Sequence, residues 1–460
     1  MTDTRFSALN LPPAQLDNLD QLGYQAMTPI QQQSLPLVLE GKDIIAQAKT
    51  GSGKTAAFAI AMLTKINPRD FGAQSLVLCP TRELSTQVAT EIRRLARYRQ
   101  NIKVVVLCGG QSIGPQIGSL EHGAHIIVGT PGRIKDHLRK KTLNLSRVNT
   151  LVLDEADRML DMGFYEDMET IIKETPSQRQ TLLFSATYPK EIKKLSASFQ
   201  QNPIEITVES IHSSNHIQQR LFITSKSNKL EGLLVLLGNY SVGSAVIFCN
   251  TIKVVKDVCE YLREQGLSAK ALHGDLEQRD RDQVLVQFSH RSCSLLIATD
   301  VAARGLDIDN LEAVINFDLP RDPEIYIHRI GRTGRAGKEG LAFSLFSDAE
   351  KYKVEAIAEY QNLPLDFDAI DTLDPHKDAV AEPPMVSLCI GGGRKEKVRP
   401  GDILGALTGD AGIEGKTVGK ITVLDHVAYV AIDRAVAGQA LKRLEKGKIK
   451  GRKFKVRQLR

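Results

Sequence analysis

The stretch Ala48-Lys49-Thr50-Gly51-Ser52-Gly53-Lys54-Thr55 holds the residue types that bind phosphate, in the spacing that binding requires. Gly51 and Gly53, flanking Ser52, let successive backbone N–H groups turn inward as an anion nest at a helix N-terminus. Lys54 reaches the β/γ-phosphates of a nucleotide and the Thr55 hydroxyl can ligate Mg²⁺. Ala48 stands where the general phosphate-loop pattern has Gly, and the chemistry does not depend on it. A second group, Asp154-Glu155-Ala156-Asp157, follows the apolar run Leu151–Leu153. Carboxylates at the C-terminal end of a central strand are placed to serve a Mg²⁺ ion and a reacting phosphate. There Asp154 would hold the ion through water and Glu155 would polarise the attacking water. The third group reads His328-Arg329-Ile330-Gly331-Arg332-Thr333-Gly334-Arg335, with Arg332 and Arg335 three apart on one face of a helical turn. His328 has no His or Cys at metal-ligand spacing, so a hydrogen-bonding role is expected of it.

These groups need rigid supports, and the chain supplies them in series. Short β-rich runs at Asp43–Ala46, Ser75–Leu78, Val104–Leu107, Ile126–Val128, Leu151–Leu153 and Leu182–Phe184 alternate with helical segments. A second series runs through Ala245–Phe248, Leu295–Ala298, Ala313–Phe317 and Leu341–Leu345. Continuous apolar strands separated by helices predict α/β architecture: doubly wound parallel sheets, here two in tandem. The expected division is 1–208 for the first lobe, a polar hinge at 209–216, 217–365 for the second lobe, and an acidic linker at 366–384 ending in Pro383-Pro384. Residues 385–460 change pattern. Strand Val386–Ile390, helix Pro400–Leu407, hairpin Val418–Leu424 and Val427–Ile432, helix Ala435–Lys446 and strand Lys453–Arg457 give a βαββαβ order. That is the split-βαβ order of RNA-recognition modules, a small α+β fold.

Charge divides along the same boundary. The net charge is +6, but residues 385–460 hold 17 Lys+Arg against 7 Asp+Glu, and the residues before them hold 43 against 47. A nearly neutral engine with a basic tail points to a nucleic-acid partner. Cys79, Cys108, Cys249, Cys259, Cys293 and Cys389 form no CxxC pair, which argues against zinc and against a disulfide framework. The polar start from Met1 to Asn10 lacks the pattern of a signal peptide, and no apolar run approaches the roughly 18 residues of a membrane span. A reducing cytoplasm, a monomer and no membrane partner are expected.

Asp154–Asp157 spells DEAD, and across roughly residues 6–350 the chain resembles the DEAD-box RNA helicases. Phe6, Gly23-Tyr24 and Thr28-Pro29-Ile30-Gln31 match that family's adenine-reading motif. The resemblance implies that Gln31 bonds the adenine edge, Tyr24 packs on its face and Asp307 contacts the ribose. It implies two RecA-like domains, ATP and Mg²⁺ as cofactors, and Arg332 and Arg335 reaching the γ-phosphate, Arg335 as the arginine finger. Asp157, Ser185, Thr187 and His328 would couple the nucleotide to RNA. Thr81 and Arg82 of Pro80–Leu84, Gly110 after Gly109, Thr130 and Arg133 would contact RNA from the first lobe. Thr251, Arg281 and Thr299 would do so from the second. Small residues, hydroxyls and guanidinium groups bind phosphate without reading bases, so this surface should be indifferent to sequence.

The tail narrows the resemblance to the bacterial DbpA-type helicases, which implies recognition of a hairpin of 23S ribosomal RNA and a role in large-subunit assembly. RNA-recognition modules usually stack bases on aromatics of the central strands. Here the tail has only Tyr429 and Phe454. The cationic run Lys442, Arg443, Lys446, Lys448, Lys450, Arg452, Lys453, Lys455 and Arg457 is the better candidate, reading a folded RNA through phosphate and groove contacts. The expected cycle is closure of the two lobes on ATP and RNA, local duplex separation, hydrolysis and reopening. An ATP-gated RNA clamp that does not unwind, or a DNA helicase, would carry the same motifs.

Overall fold

In the computed structural model the described residues are 4–48, 51–185, 187, 190–208, 217–303, 311–334, 339–374, 382–409 and 412–459. The first lobe is built on β1 (Ile44–Gln47), β2 (Ser75–Leu78), β3 (Val104–Leu107), β4 (Ile126–Gly129), β5 (Thr150–Leu153), β6 (Gln180–Ser185) and β7 (Ile204–Thr207). They form one sheet in the order β3-β4-β2-β5-β6-β1-β7, and every pairing in it is parallel. Both faces of the inner strands are covered, which is why β2, β4 and β5 read as apolar runs. Val77, Val152 and Phe184 face the helix side that carries Phe58 and Val88. Their neighbours Leu76, Leu151 and Leu183 face the other side with Met159 and Ile171.

The second lobe repeats the plan with β8 (Ile217–Ile223), β9 (Ala245–Phe248), β10 (Ala269–Leu272), β11 (Leu295–Ala298), β12 (Ala313–Asn316), β13 (Gly340–Phe346) and β14 (Phe367–Ala369). The order is β10-β11-β9-β12-β13-β8-β14, again parallel throughout. Four strands are absent from the sequence reading: β7, β8, β10 and β14. Three are sheet edges and the fourth, β8, opens with the polar run Gln218-Gln219-Arg220, so none shows the continuous apolar run of a buried strand over its length. β14 falls inside the stretch expected to be linker, and Ile370 just after it joins the second lobe's core.

The C-terminal module has β15 (Met385–Ile390), β16 (Val418–Val423), β17 (Ala428–Asp433) and β18 (Val456–Gln458), ordered β16-β17-β15-β18. The pairings are antiparallel. Helices Pro400–Thr408 and Ala437–Lys446 cover one face over Leu388, Ile390, Val430 and Ile432. The last strand begins later than expected, so Lys453 and Lys455 precede it and are exposed.

The other face of this sheet packs on the second lobe. Cys389, Tyr429 and Leu459 form one apolar cluster with Val286 of helix Gln278–Ser289. Beside it, His290 Nε2 lies 2.9 Å from Thr422 Oγ1 and its Nδ1 3.3 Å from Ser387 Oγ. Ser292 Oγ lies 2.7 Å from Ser387 Oγ, and the Met385 N–H donates to the Arg291 carbonyl at 3.3 Å. All six cysteines are buried and unpaired.

Candidate nucleotide and RNA sites

Sheet order sets the layout of the first lobe. The C-terminal ends of β5, β6 and β1 are neighbours, and so are those of β3, β4 and β2. Chain reversal at each end leaves loops on that edge, the usual ligand edge of a parallel sheet.

The first third carries the nucleotide candidates. β1 leads through the phosphate loop into helix Lys54–Lys65, and Gly51 and Gly53 take φ of +83° and +95°. At Gly53 a side chain is excluded twice, by the left-handed backbone and because a Cβ would stand 2.5 Å from Gln31 Nε2. Gln31 is wired to this loop. Its Oε1 accepts the Thr28 N–H at 2.9 Å, closing a capping box, and its Nε2 donates to the Gly53 carbonyl at 3.1 Å. The residue expected to read adenine therefore also steadies the phosphate cradle. Lys54 is buried and donates to the Ala48 carbonyl at 2.8 Å.

Asp154 is buried at the end of β5, and its Oδ1 has no hydrogen-bond partner among the described residues. Burial pushes its carboxyl up to about 7, against the pull of the Lys54 ammonium and with a further push from Glu155. A buried carboxylate oxygen close to Lys54, unpartnered among the described residues, fits a hard divalent cation, and the Thr55 hydroxyl follows Lys54 in the first turn of helix Lys54–Lys65. Glu155 sits at φ 52°, ψ 52°, a backbone region that a side chain such as Glu seldom enters. The Arg158 guanidinium, also buried, holds its carboxylate at 3.1 Å. Asp157 Oδ2 accepts from both the N–H and the hydroxyl of Thr187 at 3.1 Å, joining the acidic motif to the segment after β6. Ser185 Oγ, at the end of β6, is buried and has no hydrogen-bond partner among the described residues.

The RNA candidates of this lobe cluster on β2, β3 and β4. Thr81 caps helix Arg82–Leu95, its Oγ1 accepting the Leu84 N–H at 3.2 Å. Arg82 lies against Gly110, where φ is +71° and a Cβ would stand 1.5 Å from the guanidinium. Thr130 precedes helix Pro131–Arg139, and Arg133 donates to the Gln111 carbonyl at 2.9 Å.

In the second lobe Thr251 caps helix Ile252–Glu264, accepting from Val254 N–H at 3.2 Å. Thr299 follows β11, and Arg281 Nη2 lies 3.5 Å from the Ala302 carbonyl. β9, β10 and β11, which lead into these residues, are adjacent. His328 Nε2 lies 3.8 Å from Glu324, and Arg332 is buried. Arg335, Asp307 and the hinge at 209–216 lie outside the described residues.

Two residues gained no role from sequence. Arg329 is fully buried and makes five hydrogen bonds. They run to both Asp300 carboxylate oxygens at 2.7 Å, to Asn316 Oδ1 at 3.1 Å, to the Asp318 carbonyl at 2.7 Å and to Asn250 Oδ1 at 3.0 Å. It ties the Asn250, Thr299–Asp300 and Asn316–Asp318 segments to its own helix, Pro323–Ile330. Arg158 is the other. Being interleaved with recognised motif residues was the available signal for both.

On the C-terminal module Lys442, Lys448, Lys450, Arg452, Lys453 and Lys455 are exposed. Arg443 differs: its guanidinium donates to the Ala406 carbonyl at 2.8 Å and to the Gly409 carbonyl, closing the end of the neighbouring helix. Lys450 Nζ donates to the Lys397 carbonyl at 3.2 Å. Tyr429 is closed to stacking, and Phe454 is partly buried. Tyr429 is 2% exposed against the second lobe, and Phe454 lies on the backbone of Gly392.

A phosphate loop facing paired carboxylates on one parallel sheet, followed along the chain by a second such sheet, defines an ATP-driven helicase with two RecA-like lobes. Family models match in the same order: DEAD/DEAH box helicase over residues 28–195, helicase conserved C-terminal domain over 225–337 and DbpA RNA binding domain over 387–458. The chain is 52% identical over 460 residues to the ATP-dependent RNA helicase DbpA of Escherichia coli K12, covering 99% of this chain and all of that protein. It is 43% identical to the DEAD-box ATP-dependent RNA helicase CshA of Bacillus subtilis 168, over 80% of this chain and 75% of that one. Among solved structures it resembles S. cerevisiae Dbp5 bound to RNA and ADP BeF3, with a TM-score of 0.74 and 32% identity over 80% of this chain and 96% of that one. The chain belongs to the DEAD-box RNA helicases, of the DbpA type, and is an ATP-hydrolysing, RNA-binding enzyme. Among the described residues no helix is long and apolar enough to cross a membrane.

Proposed function

We propose that this helicase locally unwinds short duplexes in 23S ribosomal RNA during assembly of the large ribosomal subunit, acting as a cytoplasmic monomer directed to its hairpin target by residues 385–460. The observation that carries this reading is the division of labour within the tail. One sheet face is spent on the second lobe, while a run of exposed lysines and arginines remains for RNA. The DbpA RNA binding domain match over 387–458 supports it.

In this reading Gln31 and Tyr24 select adenine, Asp307 meets the ribose, and Gly51, Ser52, Gly53 and Lys54 cradle the phosphates. Thr55 and Asp154 would hold Mg²⁺, which when bound offsets phosphate charge. Glu155, released from Arg158, polarises the attacking water. Arg332 and Arg335 stabilise charge on the γ-phosphate, so that ADP and phosphate are the products. Asp157, Ser185, Thr187 and His328 relay nucleotide state to the RNA contacts at Thr81, Arg82, Gly110, Thr130, Arg133, Thr251, Arg281 and Thr299.

Targeting is tested by ATPase stimulation with ribosomal RNA fragments, comparing the native chain with one carrying Lys442→Glu, Lys448→Glu, Lys453→Glu and Lys455→Glu. The variant should lose its preference for one fragment and keep its stimulation by generic RNA. Equal preference in both proteins would overturn the targeting role.

A further inference from the structure

Tyr24 is expected to support adenine, yet a single aromatic ring beside Gly23 and two exposed residues, Gln25 and Ala26, has little of its own to hold it. Its surroundings supply the restraint. The phenol donates a short hydrogen bond to Glu91 Oε1 on helix Arg82–Leu95. Arg94, one turn along the same helix, lies 3.6 Å from the Glu91 carboxylate. Its guanidinium stands 5.8 Å from the centroid of the Tyr24 ring, and it donates to the Leu22 carbonyl at 2.9 Å. The ring also packs with Phe6 in a T-shaped pair, with centroids 6.1 Å apart. Asn18 adds a brace, donating to the Leu95 carbonyl at 3.0 Å. Burial and the neighbouring Glu91 carboxylate both push the phenol upward from its ordinary value, so the OH stays a donor.

We propose that Glu91 and Arg94 are positioning residues for the nucleotide, fixing the Tyr24 ring in the orientation that meets adenine. The inference rests on the assignment of Tyr24 to the adenine face. It adds residues that belong to none of the phosphate-binding segments. They sit at the end of a helix whose start, Thr81-Arg82, belongs to the RNA candidates, so one rigid rod carries both.

Without the clamp, ATP must itself order the ring. Ordering one mobile side chain weakens binding about two- to tenfold, and this should appear in KM for ATP rather than in kcat. Tyr24→Phe, which removes the OH, and Glu91→Ala should each raise KM by that factor while kcat moves less. The double variant should be no worse than either single one, because both break the same bond. Glu91→Gln keeps an oxygen that accepts from the phenol and should restore most of the loss. Additive effects, or an unchanged KM in Tyr24→Phe and Glu91→Ala, would overturn the proposal. Tyr24→Ala separates it from the reading beneath it. An unchanged KM there removes the adenine assignment and this inference together. A raised KM in Tyr24→Ala, with none in Tyr24→Phe or Glu91→Ala, removes the inference alone.

Discussion

Acid should release the C-terminal module from the second lobe through His290. The ring is 2% exposed and held between Thr422 and Ser387 of the module. Burial lowers its pKa from 6.5 to about 4, with Lys420 adding repulsion. A folded-state value below the free value means that the docked state binds the proton less readily than the undocked one. Docking is therefore fully supported above the free value, near pH 6.5, and loses support as pH falls toward 4. The full shift corresponds to about 3 kcal/mol, and roughly 2 kcal/mol of it is gone by pH 5. Because the six native cysteines are buried, dyes can be placed on Glu355→Cys of the second lobe and Glu445→Cys of the module, both exposed sites. Energy transfer between them should fall between pH 6.5 and 5 in the native background. In His290→Gln, which cannot take up a proton, that transition should vanish, although docking starts weaker. Constant transfer down to pH 5, or the same transition in His290→Gln, would show that this imidazole does not govern the contact.

Glu155→Gln should lower ATP turnover by about 10²–10⁴-fold while an ATP-dependent RNA complex persists; full activity in a steady-state phosphate-release assay would remove Glu155 from the chemistry. Arg329→Lys replaces a fork that serves Asp300, Asn250, Asn316 and the Asp318 carbonyl with a single ammonium. It should cost about 3–5 kcal/mol in chemical unfolding of the second lobe, with a midpoint unchanged from the native protein as the refuting result.

What sequence disclosed follows from how local each signal is. The phosphate loop and Asp154–Asp157 are contiguous, each directly after an apolar strand, so residue type and order suffice to propose them as a nucleotide site. Thr81, Arg82 and Gly110 have no local signature; only likeness to a family picked them out, and the left-handed φ of +71° at Gly110 accounts for the glycine there. β7, β10 and β14 were invisible because these edge strands are partly buried or exposed and carry polar residues, unlike the edge strand β3 with its run Val104–Leu107. The role of Arg329 was hidden because its partners come from three separate segments, at Asn250, Asp300 and Asn316–Asp318. Docking of the tail was hidden for the same reason, His290 and Thr422 being 132 positions apart.

That docking changes how the tail must be understood. β15 and β17 are the central strands, the ones from which RNA-recognition modules stack bases, and their open face is occupied by Val286 and His290. Tyr429 is thus a protein contact, and Tyr429→Ser should behave as a packing lesion. Removing a buried aromatic costs about 3–5 kcal/mol, here divided between the module's core and its hold on the second lobe. Unfolding and docking should both suffer, whereas preference among RNA fragments should survive wherever the variant remains folded. The lysine variant should show the reverse, intact stability with lost preference. If Tyr429→Ser instead abolished fragment preference at native stability, the ring would be stacking on RNA, and the sheet face would have to leave the second lobe for the tail to work.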